Sequence, residues 1–332
     1  SIPRALEGDE LDSVVATSHL VGVRSRTKIR APQLEHAGKL LAIGCFSVGT
    51  DQVSIADAAR AGVPVFNAPH ASTRSVAELT MGHVVALARR VGEKNLKLHR
   101  GEWDKSLAGA HEVRGRTLGI VGYGHIGQQL GILAEAFGMR VLFHDIQKKL
   151  PLGLNRPVSS LEVVLEESDF VTLHVPETPR TRGMIGAAQL ERMKHGSYLL
   201  NLSRGSVVDV DALRDSLRRG HLAGAALDVF PSEPAPTSAP FDVGFSDFPN
   251  VILTPHIGGN TEEAQRNIGI EVANSFIGFI DRGSTEGAVN FPNVNLPEIP
   301  NTHRILNIHR NVPGALAEVN RIAREMREAY GP

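Results

Sequence analysis

The 332-residue chain has one cysteine, one tryptophan and almost no net charge, with 35 Lys and Arg against 36 Asp and Glu. A single cysteine excludes a disulfide framework and a Cys-based zinc site, and it suits a reducing, cytoplasmic compartment. A protein held to nucleic acid by its overall field needs a strong basic excess, so the net charge of −1 excludes that class. No apolar run approaches the ~18 residues of a membrane span, and no signal-peptide pattern opens the chain, so no membrane partner is expected. The 14 histidines show no H-x-x-x-H or Cys-bearing spacing, and no metal is expected. Internal repeats and low-complexity tracts are missing too.

Glycine is plentiful, at 33 residues, which suits the tight strand–helix turns of an α/β protein. The length fits about two domains of ~150 residues with chain left over. Short apolar stretches predict strands at His19–Arg24, Lys39–Ile43, Val63–Phe66, Thr117–Val121, Arg140–His144, Asp169–His174, Ser197–Leu202, Gly224–Asp228 and Asn250–Thr254. Helical patterns separate many of them, at 54–61, Gln128–Phe137, Leu161–Glu166, Ala187–Met193 and Val210–Arg219. Such alternation with short connections predicts a doubly wound parallel sheet. Ser75-Val-Ala-Glu78 reads as a capping box opening a helix near 75–91. Thr261 reads as the cap of a second long helix, in which Ala264, Ile268, Val272 and Phe276 step by four. Residues 291–303, with three prolines, read as a linker before a strand at Arg304–Ile308 and a helix at Pro313–Met326. Cys45 lies among apolar residues and reads as core.

Gly122-Tyr-Gly124-His125-Ile126-Gly127 follows a predicted strand and precedes a helix at Gln128. The first glycine allows the tight turn, the second lets a pyrophosphate approach the backbone, and the third lets helix and strand pack closely. The helix N-terminus then offers unpaired N–H groups to the phosphates. Asp145 ends the next strand, twenty-three residues after the first glycine. An acid there accepts hydrogen bonds from ribose hydroxyls and repels a 2′-phosphate, which predicts NAD over NADP, with Lys148 and Lys149 able to soften that preference. His174, at the end of another strand, reads as structural lining beside the nicotinamide.

Three polar clusters close successive strands: Asn201-Leu202-Ser203-Arg204-Gly205, Asp228-Val-Phe-Pro-Ser-Glu233 and Thr254-Pro-His256-Ile257-Gly258-Gly259. Ligands bind at the carboxyl ends of parallel strands, so Arg204, Glu233 and His256 are candidates for one task. The histidine would take a hydroxyl proton as hydride leaves the same carbon, the glutamate would orient the imidazole, and the arginine would fork a substrate carboxylate.

These motifs resemble the D-2-hydroxyacid dehydrogenase family over nearly the whole chain. The most specific pieces are Val23–Thr27, Ala42–Thr50, Val65–Pro69, Arg74–Glu78, Gly122–Gly127, Asn201–Gly205 and Pro255–Gly259. The resemblance assigns Arg204 to the substrate carboxylate and Glu233 with His256 to the acid/base pair. It sets Gly122, Gly124, His125, Ile126, Gly127, Asp145, Leu202, Ser203, Arg204, Asp228, His256, Ile257, Gly258 and Gly259 around NAD. It implies a Rossmann-type doubly wound sheet (72–258) inserted in a split flavodoxin-like substrate domain (1–71 and 259–300), with helices near 75–91 and 261–280 as crossovers for hinge closure.

Arg24, Ser25 and Arg26 then fall where a substrate phosphate would be held, and Lys105, beside Trp103, at a position able to reach a neighbouring subunit. The implied reaction is NAD-dependent oxidation of 3-phospho-D-glycerate to 3-phosphohydroxypyruvate, the first step of L-serine biosynthesis, by a homodimer or homotetramer. Residues 301–332 resemble the opening of an ACT regulatory domain, an α+β module of ferredoxin-like fold, with His309 and Asn311 matching positions that contact an L-serine effector. The chain is expected to be interrupted at both ends: the ACT segment stops after its first helix, and the substrate domain lacks its first strand and helix. Two other readings stay open. One is a hydroxypyruvate/glyoxylate or D-lactate reductase. The other is an NAD-sensing corepressor-like binding protein.

Overall fold

The computed structural model describes residues 4–24, 26–234, 241–297, 309 and 312–330. Ser25, Asn311 and the strand predicted at Arg304–Ile308 lie outside them. The chain divides into two units, 1–67 with 271–332, and 68–270.

In the smaller unit, α1 (Gly8–Thr17), a helix that the sequence patterns do not announce, precedes β1 (Leu20–Val23). Leu11 and Val15, four apart, bury its inner face, and Asp9 and Glu10 complement the dipole of its first turn. After α2 (Ala31–Glu35) comes β2 (Ala42–Cys45), which starts three residues later than predicted. The reason is a turn in which the Leu40 N–H bonds the Ala37 carbonyl and the Leu41 N–H bonds that of His19, so pairing begins only past Leu41. Next follow α3 (Ile55–Arg60) and β3 (Val65–Phe66), and the three strands pair in parallel in chain order. Cys45 is fully buried, and burial with the charge of Asp51 pushes its thiol up to about 12.

The larger unit begins with α4 (Thr73–Ala88). Its first turn lies upstream of the predicted capping box: Ser75 is inside the helix, where its hydroxyl meets that of Thr261 at 2.9 Å, and Glu78 pairs with Arg74 at 2.5 Å. Arg90 then adopts a left-handed φ of 54° and separates α4 from α5 (Val91–His99). There follow β4 (Thr117–Val121), α6 (His125–Ala136), β5 (Arg140–His144), β6 (Arg156–Pro157), α7 (Leu161–Glu167), β7 (Phe170–Leu173), α8 (Ala187–Arg192), β8 (Ser197–Asn201), α9 (Val210–Arg218), β9 (Leu222–Leu227) and β10 (Val251–Leu253). All seven strands are parallel, in the order β10-β9-β8-β7-β4-β5-β6. The chain winds one way from β4 and then the other way from β7, which puts a switch point between those two strands.

Alternate residues of a strand enter opposite cores. Leu200 and Ala226 pack with α4 and α6, whereas Leu199, Ala225 and Leu227 pack with α7, α8 and α9. Burial on both faces explains the unbroken apolar runs.

α10 (Glu262–Arg282) is capped as expected, the Ala264 N–H donating to the Thr261 hydroxyl at 3.1 Å, and it buries Ala264, Ile268 and Val272. The stretch predicted as a linker is stapled at its start, with Val294 and Thr285 exchanging two hydrogen bonds. α11 (Ala315–Tyr330) follows. Among the described residues no helix is long and apolar enough to cross a membrane, and no three His, Cys, Asp or Glu side chains gather as a metal centre.

Candidate active site

The glycine fingerprint occupies the switch point. Gly122 has a φ of +92°, and a Cβ on it would stand 2.4 Å from the His174 carbonyl oxygen beyond β7, so no other residue fits the turn. Gly124, by contrast, has nothing within 4 Å of where a Cβ would be, leaving an open face for a diphosphate. α6 starts at His125 rather than at Gln128: Gly124 is its N-cap, and Ile126 and Gly127 belong to its first turn. Their N–H groups therefore sit at the positive end of the helix dipole. At the end of β5 the Asp145 carboxylate accepts the Tyr123 N–H at 2.9 Å and the Gln147 N–H at 2.8 Å, which fixes it while leaving lone pairs for ribose hydroxyls. His125 stands edge to face with His70 at 4.3 Å. Burial, His70 and Lys149 hold the His125 imidazole below its ordinary pKa. These residues fit a dinucleotide.

Three neighbouring strands deliver the polar trio. Arg204 lies three residues past β8, Glu233 six past β9 and His256 three past β10. Gly205 lets the first two loops meet, since a Cβ there would fall 1.9 Å from the Phe230 carbonyl carbon. His256 Nδ1 and Glu233 Oε2 are 2.8 Å apart, and Glu233 Oε1 accepts the Phe230 N–H at 3.2 Å. That hydrogen bond raises the His256 pKa; burial opposes it, the charges of Glu233 and Asp228 add to it, and that of Arg204 subtracts. For Glu233, burial is outweighed by the imidazole, the Phe230 N–H and Arg204, so its pKa lies below the usual value. Arg204 thus acts electrostatically on both partners.

His256 has a left-handed φ of 55°, a strained geometry for a residue with a Cβ. Asp228 holds it there. Only 1% exposed, its carboxylate accepts from the Thr254 hydroxyl at 2.6 Å, the Ile257 N–H at 2.9 Å and the Gly258 N–H at 2.8 Å, while its carbonyl accepts the His256 N–H at 2.8 Å. Asp228, expected beside NAD, therefore has both carboxylate oxygens engaged inside the protein. Leu202 and Ser203 are buried at the turn after β8, Ile257 is exposed and Gly259 half-buried.

Arg24 and Arg26, in the smaller unit, are both exposed just past the carboxyl end of β1. Lys105 is exposed on the connection between α5 and β4, which does not leave a carboxyl end of the sheet. His309 is exposed. Asn201 and Thr254 stand in the polar clusters with no role assigned by the sequence, and His70 is not singled out by it. An asparagine ending the apolar strand Leu199-Leu200-Asn201 was the available signal for the first.

A family model described as D-isomer specific 2-hydroxyacid dehydrogenase, NAD binding domain, matches residues 81–258. D-3-phosphoglycerate dehydrogenase of Haemophilus influenzae is 53% identical over 319 residues, covering 96% of this chain and 78% of that protein. The Escherichia coli K12 protein of the same name is 54% identical over 321 residues, covering 97% and 78%. Among solved structures, D-lactate dehydrogenase from Aquifex aeolicus complexed with NAD and lactic acid is 30% identical with a TM-score of 0.75, covering 85% of this chain and 90% of that one. With an NAD-binding domain matched over more than half its length, the chain belongs to the D-isomer specific 2-hydroxyacid dehydrogenase family.

Proposed function

We propose that the chain oxidises 3-phospho-D-glycerate to 3-phosphohydroxypyruvate with NAD, the first step of L-serine biosynthesis. The observation that carries the chemistry is the 2.8 Å His256–Glu233 pair under the charge of Arg204 at the carboxyl edge of the sheet. The choice of acid is supported by the names of the relatives and by Arg24 and Arg26.

Because Nδ1 is engaged with Glu233, Nε2 is the atom that accepts the hydroxyl proton. Glu233 selects the tautomer with the proton on Nδ1 and then stabilises the imidazolium, helped by the charge of Asp228. Arg204 forks the substrate carboxylate and polarises the developing carbonyl. Bound NAD supplies the two-electron acceptor. It would be held by Gly122, Gly124, His125, Ile126, Gly127 and Asp145 on one side and by Leu202, Ser203, Arg204, His256, Ile257, Gly258 and Gly259 on the other, with Asp228 supporting that side from within through its bonds to Ile257 and Gly258. Arg24, Ser25 and Arg26 would take the phosphate, and Lys105 of a second copy would add a cation.

The single buried cysteine supports a cytoplasmic site of action. Trp103 and Leu107, 78% and 85% exposed, support burial against a second copy in a homodimer or homotetramer. The ACT-like sequence around His309 and Asn311 supports an L-serine effector.

The test is NAD reduction with 3-phosphoglycerate, glycerate and D-lactate in parallel. Robust turnover of D-lactate without turnover of phosphoglycerate would sink the substrate assignment. Replacing Arg24 and Arg26 by Ala should raise KM for phosphoglycerate far more than for glycerate, and equal effects would contradict the phosphate role.

A further inference from the structure

We propose that Asn201 is a positioning residue that sets Arg204 by holding the backbone of the turn that carries it. The inference rests on Arg204 being the anchor for the substrate carboxylate. Asn201 ends β8 and is 1% exposed. Three hydrogen bonds tie its amide to the turn that follows. Oδ1 accepts the Ser203 N–H at 3.1 Å and the Ser203 hydroxyl at 2.8 Å, and Nδ2 donates to the Arg204 carbonyl at 2.9 Å. One side chain therefore closes the turn from both sides. Arg204 is bound to the same turn at its other end, where its guanidinium Nη1 donates to the Ser203 carbonyl at 2.8 Å. A shift of Ser203 thus moves the guanidinium as well as the main chain.

The turn has no slack in which to absorb such a shift. Gly205 lies so close to the Phe230–Pro231 backbone that a Cβ would overlap it. Asn201 also links the two catalytic loops, because its carbonyl accepts the Asp228 N–H at 3.0 Å and Asp228 holds His256. The chemistry demands asparagine. A leucine or valine would fill the space but leave the buried Ser203 N–H without a partner. An aspartate would keep both bonds to Ser203 and set an acceptor against the Arg204 carbonyl oxygen.

The experiment compares Asn201→Asp, Asn201→Ala, Arg204→Gln and the Asn201→Ala/Arg204→Gln double variant. It uses the full chain with saturating NAD, reads KM and kcat for 3-phospho-D-glycerate, and reads NADH affinity by titration. Asn201→Asp and Asn201→Ala should each raise KM about tenfold, the equivalent of one hydrogen bond, while NADH affinity, which is shared among many other groups, falls by clearly less. In the double variant Asn201→Ala should add less than about twofold to the effect of Arg204→Gln, because the group it positions is gone. A merely structural role would weaken NADH binding as much as it raises KM and would multiply with Arg204→Gln, and that pattern would overturn the proposal. Wild-type KM in both Asn201 variants, with KM raised in Arg204→Gln, overturns the Asn201 role alone. Unchanged KM in Arg204→Gln overturns the anchor assignment and the inference with it. Asn201→Asp is isosteric, so it reports even where the alanine variant does not fold.

Discussion

Replacing Glu233 by Gln removes one charge and keeps the shape, which isolates what the carboxylate does for His256. Glu233 raises the imidazole pKa in two ways, by the 2.8 Å hydrogen bond and by its charge. Without it only Asp228 raises that pKa, against burial and Arg204, so the imidazole releases its proton at lower pH. Reduction of the 2-oxo acid needs protonated His256, so the alkaline limb of kcat/KM in that direction should move to lower pH. Oxidation needs the neutral ring, so its acid limb should move the same way. A hydrogen bond to a charged group contributes about 1.5–3 kcal/mol. The side chains of His256 and Glu233 are 50% and 37% exposed, and solvent screening puts this pair at the low end. The expected loss in reduction at the pH optimum is about 1.5 kcal/mol, roughly tenfold in rate. Initial rates in both directions across pH, with NADH affinity measured alongside, test this. A loss of the same size at every pH, with neither limb moved, would refute the idea that Glu233 tunes the proton on His256.

Three further outcomes follow from the same loops. His256→Gly and His256→Ala should both abolish turnover and leave NADH binding nearly intact; the glycine variant should be more stable by about 1 kcal/mol, since alanine keeps the Cβ that a φ of 55° disfavours. Equal denaturation midpoints would argue against strain at this residue. Asp228→Asn sets an NH2 against donors now shared between two oxygens, and it should cost about 2–3 kcal/mol in denaturant titration together with most of kcat. Wild-type kcat in that variant would remove Asp228 from the support of His256. Gly205→Ala drives a Cβ into the Phe230 backbone and should cost about 3 kcal/mol. That is a fall of about 6–12 °C in Tm for a unit of this size, and a smaller change by calorimetry would show that the two loops can part.

Much of the larger unit was legible in the sequence because its strands are buried on both faces and read as unbroken apolar runs. The three polar clusters were legible because each follows directly on such a run. Boundaries were less so. α6 starts inside the glycine fingerprint, whose glycines look like a turn when read as letters. The break at Arg90 falls two residues before the nearest glycine, Gly92, which lies inside α5; the Arg90 guanidinium holds the Ala108 carbonyl at 2.9 Å, a contact across the chain that no local pattern encodes. α1 was missed because its buried face amounts to two side chains, Leu11 and Val15. Asn201 and Asp228 show the same limit within the site. Their identity was visible, but their hydrogen-bond partners depend on how loops from adjacent strands return past one another.

The exposed Trp103 has a practical consequence. It is the chain's only indole, and it sits on the segment after α5 rather than in either core. Its emission should therefore already be red-shifted in the native protein, so core unfolding followed by that signal would be nearly silent. A blue shift on raising the protein concentration would instead report burial of that segment. The lone indole is a built-in gauge of what covers this surface.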